Sequence, residues 1–348
     1  MQKKIIALAV AALASTAAFA QTNVTIYGIA DANLAATTYL GSASNQTQYG
    51  VNSGGLSTSR IGFKGVEDLG NGLKALFVLE YGLQIDQPTG IGSNTITSAT
   101  ARQQFVGLTG GFGTAIAGHL QTTGLDFTVA GSALGGSTGL GVAHTGTGLQ
   151  ASANTHLISA LAGGRHSNAV AYISPSFGGL TVAYNHARMT ETAGTTGNTD
   201  AHGNLLSLSY ANGPISAGAI YTRVTLNGIN DNISEWGLRA GYDFGVVKLQ
   251  GQYQRAKSQA LTLGSDSLWL VSASVPVGAK VAVIAEYAHT SRNSTSVSDN
   301  VNAATVAATY ALSKRTTAYA GMKAVRAQSD AVQGLDTNTY LAGVRHMF

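Results

Sequence analysis

Few side chains in this chain of 348 residues could do chemistry, since only 10% are charged and there is no cysteine. Without cysteine there is no disulfide, thiol nucleophile or zinc–cysteine site. His119, His144 and His156 are widely spaced and lack a carboxylate partner, a weak basis for a metal site. Gly110-Gly-Phe-Gly113 reads as a turn and not as a dinucleotide fingerprint, because no helix follows it. Serines and histidines are plentiful, but no hydrolase triad stands out from chance. What remains is scattered charge, with Arg60 and Lys64 two residues either side of Gly62 and Asp126 as the one acid between Leu120 and Gly164. Their chemistry is recognition of charge, not the making of bonds, and no metal or organic cofactor is expected.

Such charges matter only if rigid elements hold them in place. The sequence alternates with period two. In Val24–Leu34 one face carries Val24, Ile26, Gly28, Ala30, Ala32 and Leu34, and the other Thr25, Tyr27, Ile29, Asp31 and Asn33. In Gly245–Gln254, Val247, Leu249, Gly251 and Tyr253 oppose Lys248, Gln250, Gln252 and Gln254. Similar segments recur around 58–66, 73–82, 101–108, 114–119, 168–174, 180–186, 204–210, 215–223, 234–243, 267–275, 281–288, 303–311, 316–323 and 338–348, sixteen in all. Short connections such as Thr109–Gly113 and Asp243–Gly245 alternate with long polar ones such as Gly41–Leu56, Thr190–His202 and Thr290–Val301. The longest runs from Leu120 to Gly164. This is the layout of an up-and-down meander.

The N-terminus sets the compartment. Lys3 and Lys4 precede the apolar run Ile5 to Ala14, and Ala18-Phe19-Ala20 offers a cleavage site, so residues 1–20 read as a secretory signal peptide and 21–348 as the mature domain. Removing those lysines lowers the formal charge from +4 to +2 (18 basic against 16 acidic), which argues against a nucleic-acid partner. No later stretch is long and apolar enough for a spanning helix. A sheet of about sixteen strands with one apolar face is too large for a soluble sandwich without splitting. Closed in a bilayer, it satisfies every backbone group and turns its apolar face to lipid. Tyr184, Tyr210, Tyr221, Trp236, Tyr242, Tyr253, Trp269, Tyr287 and Tyr310 near strand ends would form interfacial girdles. The chain ends YLAGVRHMF, with Tyr340, Ala342, Val344, His346 and Phe348 on one face. This reads as a last strand that pairs with the first, placing Phe348 at the turn-end interface.

Several stretches resemble the general porins of β-proteobacteria: Asn23-Val-Thr-Ile-Tyr-Gly-Ile-Ala-Asp31, Ser59 to Lys74, Arg102 to Thr114, Ser174-Pro-Ser-Phe-Gly-Gly179, Tyr310 to Thr316 and Gly343-Val-Arg-His-Met-Phe348. The resemblance implies an all-β, 16-stranded antiparallel transmembrane β-barrel, a homotrimer, and a long third loop folded into the pore. It further implies a C-terminal signal, here Tyr340, Val344 and Phe348, read by the barrel-assembly machinery. Expected partners are outer-membrane lipid and lipopolysaccharide, inorganic ions and small hydrophilic solutes. Arg60, Arg102 and Arg165 match the family's basic ladder on the pore wall, and Lys64 shares the inward face of Arg60; His119 stands where the family usually has arginine. The third loop departs from the family's acidic pattern, with Asp126 its lone charge. A basic wall facing a nearly neutral loop favours anions, unless acids such as Asp31, Glu80 or Glu286 cancel the field. Leu76, Val78, Ala171 and Ile173 fall on the expected inward face despite being apolar; either they narrow the pore or the register slips by one. A substrate-specific channel on the same barrel, or a non-conducting adhesion or enzyme barrel, are the alternatives.

Overall fold

The computed structural model describes residues 23–40, 46–88, 90–91, 93–95, 98–99, 101–142, 164–190, 200–226, 231–258, 265–293, 298–328 and 336–348. The expected signal peptide at 1–20, His144 and His156 lie outside the described residues. The strands are β1 (Asn23–Leu40), β2 (Gln46–Ser53), β3 (Arg60–Gly70), β4 (Leu73–Gly82), β5 (Ser93–Thr95), β6 (Ser98–Ala99), β7 (Ala101–Gly110), β8 (Gly113–Gln121), β9 (Arg165–Ile173) and β10 (Leu180–Thr190). They continue with β11 (Ala201–Asn212), β12 (Ile215–Leu226), β13 (Asp231–Asp243), β14 (Lys248–Ser258), β15 (Ser265–Val277), β16 (Val281–Asn293), β17 (Ser298–Ala311), β18 (Thr316–Gln328) and β19 (Asp336–Met347). Among the described residues between β8 and β9 lies a helix, α1 (Thr123–Ala130).

Seventeen strands form one antiparallel sheet, while β5 and β6 make a separate hairpin. β2 and β3 share a single place beside β1: β2 pairs with Ala32 to Tyr39 and β3 with Asn23 to Ile29. The sheet therefore has sixteen positions, and β1 pairing with β19 closes it into a barrel. Gly28 and Phe348 exchange backbone hydrogen bonds of 3.0 and 3.1 Å at the seam. The turns at that end are short. Between β3 and β4 the reversal rests on Asn71 and Gly72, both with positive φ (51° and 78°), the conformation a two-residue hairpin requires.

Alternation explains which way each strand faces. Val24, Ile26 and Leu34 of β1 are exposed on the outside, while Asp31 and Asn33 are buried within. On β19, Tyr340, Val344 and Phe348 are exposed and Leu341 is buried. The aromatic girdle residues stack in pairs outside the wall: the rings of Trp236 and Tyr253 are 5.3 Å apart, and those of Trp269 and Tyr287 5.2 Å. In water this apolar outer surface would be costly; in a bilayer it is solvated by lipid. The registers of β4 and β9 follow the expected alternation. Val78 lies opposite Lys64 and Leu76 opposite Val66 on the inner face, and Ala171 is buried with Leu120, Ala169 and Ala187.

Candidate functional site

The described part of the third loop, residues 120–142, lies inside the barrel. It is tied along the inner wall by groups that inward-facing positions supply. Thr122 caps α1 by accepting the Leu125 N–H, and the Thr123 N–H donates to Asn185 of β10 (2.8 Å). At the other end of α1, where carbonyls lack helical partners, Gln250 and Gln252 of β14 donate to the carbonyls of Ala130 and Thr128 (3.0 and 3.1 Å), and Gln254 to the Thr128 hydroxyl (3.1 Å). The polar face of β14 is thus a ladder that caps a helix. Beyond it, Ala133 N–H meets Ser272 of β15 (3.1 Å), Leu134 N–H meets Glu286 of β16 (2.8 Å), and Thr305 of β17 donates to the Leu140 carbonyl (2.7 Å).

The loop tip ends on the break between β2 and β3. Thr138 donates to the Gly54 carbonyl (2.7 Å) and Gly139 N–H to that of Gly55 (3.2 Å). The break itself is organised by Asp31, which is 0% exposed. Its carboxylate accepts the N–H groups of Gly55 (3.0 Å), Leu56 (3.0 Å) and Ser57 (2.7 Å), and the Tyr319 hydroxyl. Leu56, Leu134, Leu140, Ile284, Tyr319 and Leu341 pack together beside it.

A cavity of about 880 Å³ extends from Arg60, Glu80 and Arg102 of β3, β4 and β7 to the β15–β16 turn at Gly278, Ala279 and Lys280, with Leu125, Val129, Ala133 and Leu134 of the loop on one side. Its charged lining is Arg60, Arg102, Arg165, Lys280 and Arg345, with Glu80 as the single carboxylate. Glu80 accepts from Arg102 Nε at 2.8 Å, faces Arg60 Nε at 3.7 Å and accepts the Tyr27 hydroxyl at 3.1 Å. Arg165 donates to Gln121 (2.9 Å), and Gln121 to Asp126 (2.5 Å). Enclosure by the surrounding wall pushes the Asp126 carboxyl up from its ordinary pKa, against the Gln121 bond and the charges of Arg165 and Arg239. Its side chain is nonetheless exposed towards the lumen. Arg345 donates to Ser57 (3.1 Å).

The structure brings Arg60, Arg102 and Arg165 to one cavity. Arg102 arrives there by a route that alternation misses. Counting back from Val106 and Leu108, both exposed outside, Arg102 should face lipid. A β-bulge, with Glu80 opposite Gln103 and Tyr81 opposite Ala101, leaves Arg102 as the extra residue and turns it inward. Lys64 is inward but lies nearer the turn end, with its ammonium 5.1 Å from the Tyr27 ring centre. His119 is not brought to the cluster. It shares the face of Ala115 and Ala117, which are exposed on the outside, and its ring meets Ser167 at 3.0 Å; the run-out of β8 puts Leu120, not His119, on the buried inner side. Of the acids that could have cancelled the field, Asp31 and Glu286 are engaged in holding the loop, and only Glu80 stands among the arginines. Arg345 and Lys280 are additions. The parity of β19 puts Arg345 opposite Phe348, a signal that was legible, whereas Lys280 sits in a turn and alternation says nothing of it. The cavity thus holds five cations against one carboxylate; the loop side chains that line it, Leu125, Val129, Ala133 and Leu134, are apolar, and Asp126 stands just outside the lining on Gln121. In a confined, partly desolvated passage such an imbalance draws anions and repels cations.

The family model for Gram-negative porins matches residues 7–330. Outer membrane porin protein 32 of Delftia acidovorans is 33% identical over 99% of this chain and 95% of its own length. The major outer membrane protein P.IB of Neisseria meningitidis serogroup B is 30% identical over 91% of each. Among solved structures, an anion-selective porin from Comamonas acidovorans superposes with a TM-score of 0.74 at 27% identity, covering 94% of this chain and all of that one.

Proposed function

The chain belongs to the Gram-negative porin family and resides in the outer membrane, and from that premise we propose that it is a passive, anion-preferring diffusion channel for ions and small hydrophilic solutes. It has no catalytic step. Selection rests on Arg60, Arg102, Arg165, Arg345 and Lys280, offset within the cavity by Glu80 and beside it by Asp126. The single observation that carries the reading is that excess of cations lining the cavity. The anion selectivity of the Comamonas relative supports it.

The working unit is a homotrimer. A shallow outer groove of apolar and small residues, including Leu34, Ala36, Gly50, Val51, Ala320 and Ala342, suits close contact between barrels. Cross-linking of the detergent-solubilised protein checks this, with a trimer band expected. Residues 1–20 act as the export signal, and Tyr340, Val344 and Phe348 present the outward, terminal face to the assembly machinery. Lipopolysaccharide is the lipid partner on the long-loop side.

The direct test is the reversal potential across a KCl gradient in a planar bilayer. A value near the chloride equilibrium potential, reduced in an Arg60→Ala, Arg165→Ala double variant, is expected. A cation-selective wild-type potential rejects the assignment of the pore lining.

A further inference from the structure

We propose that the outer surface of β12–β14 holds a binding site for a phosphorylated lipid headgroup of the outer leaflet, formed by Arg223, Arg255 and Lys257. The inference rests on the outer-membrane reading and names a site for its lipid partner. All three side chains are exposed, and all three share the outward parity of Tyr221 and Tyr253, opposite the buried Thr222, Gln254 and Ala256. Among the described residues none of the three makes a hydrogen bond or an ion pair. Three unpartnered cations on a surface that meets lipid need an explanation, because such charges are costly at hydrocarbon depth.

Their register gives it. Ser234 lies opposite Arg223 on one side and opposite Lys257 on the other. The two cations therefore sit in one row, with backbones about 10 Å apart, two inter-strand spacings. Arg255 lies opposite Trp236, one pleat closer to the membrane centre than that row. Long side chains from these places are within reach of one headgroup seated over Ser234. Arg223 stands one pleat beyond Tyr221, and Arg255 and Lys257 one and two pleats beyond Tyr253, always towards the long-loop end. The girdle of Tyr221, Trp236, Tyr253 and Trp269 marks the edge of the hydrocarbon. The cations thus lie at headgroup level, on the outer-leaflet side. The carboxylates of this region, Glu235 and Asp266, are buried with inward parity and do not compete. Two guanidinium forks and an ammonium around a hydroxyl suit a phosphomonoester, which accepts several charge-assisted bonds at once. The indole of Trp236, with Leu238 two residues further in, gives the acyl chains an apolar surface below.

The test uses the folded, detergent-purified full barrel, stripped of lipid, with native mass spectrometry as the readout and lipopolysaccharide as the probe. Wild-type protein is expected to retain it. The Arg223→Gln, Arg255→Gln, Lys257→Gln variant should bind roughly a hundredfold more weakly, about fivefold for each cation removed. Heat-modified gel mobility verifies that the variant is folded, and Lys257→Gln alone gives an intermediate value if the triple variant is not. Enzymatically dephosphorylated lipopolysaccharide should bind wild type as weakly as the intact lipid binds the variant. Equal binding by variant and wild type overturns the proposal. So does an equal loss in Lys314→Gln, an exposed cation at the opposite end, and so does inorganic phosphate bound as tightly as the lipid. A wild-type barrel that conducts yet retains no lipid overturns this site while leaving the channel reading intact.

Discussion

Asp31→Asn keeps the size of the side chain and removes one acceptor. In the wild-type chain Oδ1 receives the Gly55 N–H and the Tyr319 hydroxyl, and Oδ2 the N–H groups of Leu56 and Ser57. An amide has a single acceptor oxygen; with its NH2 turned to Gly55 and Tyr319 the hydroxyl can accept, but the Gly55 N–H is left facing a donor, and the reverse orientation strands two N–H groups. Hydrogen bonds to a charged group contribute about 1.5–3 kcal/mol each, which sets the loss at about 1.5–3 kcal/mol or more. The loss falls on the break between β2 and β3, whose carbonyls hold the loop tip through Ser137, Thr138 and Gly139. The tip should then depart from the wall and return on the time scale of a recording. Single-channel currents in a planar bilayer are expected to show open-state noise several times that of wild type, and the folded band should melt at lower temperature on heating in detergent. Arg60→Ala is the control: it alters the charge of the passage without touching the anchor, and should shift ion preference with a quiet current. A quiet Asp31→Asn channel with wild-type heat resistance would refute the reasoning that this carboxylate holds the loop.

Other outcomes follow from the same geometry. Glu80→Gln removes the carboxylate between Arg60 and Arg102, so the reversal potential should move further towards chloride; movement towards potassium would contradict the charge count. Val129→Glu places an anion on the loop face of the cavity, and a fall in anion preference is expected in the same measurement. Gly28→Leu should lower the yield of folded barrel on urea gels, because even a Cβ there would lie 2.4 Å from the Phe348 ring; a wild-type yield rejects a tight seam. Gln250→Ala with Gln252→Ala strips two donors from the end of α1, and hydrogen exchange in 123–130 should accelerate while the strands stay protected.

The strands were legible because their pattern is local: a period of two with turns between carries the face of each residue, and all sixteen positions follow from it. Alternation marks the second position only over 58–66, since Gln46-Thr-Gln-Tyr-Gly-Val-Asn-Ser53 is polar and looks like loop. It becomes a strand because β1 extends beyond β3 and offers a free edge. Arg102 shows the limit of parity counting: one extra residue reverses a side chain, and a bulge has no reliable local mark. His119 shows the converse, a position matched by family pattern that the backbone carries to the other face. The path of the third loop was illegible for a different reason. Its fasteners come from Asn185, Gln252, Ser272, Glu286 and Thr305, each on another strand and up to 165 residues away. No window along the chain contains them together.

The seam between β1 and β19 also orders events in time. Thr37 and Thr339, whose hydroxyls are 3.1 Å apart, are separated by 302 residues. Every other neighbouring pair of positions can zip soon after both strands are made, but this one waits for the whole chain. Until Phe348 arrives, any partly built sheet carries two raw edges. The joint therefore works as a clock as well as a closure: one edge of β1 finds β2 and β3 close by in the chain, and the other waits for the most distant strand of all.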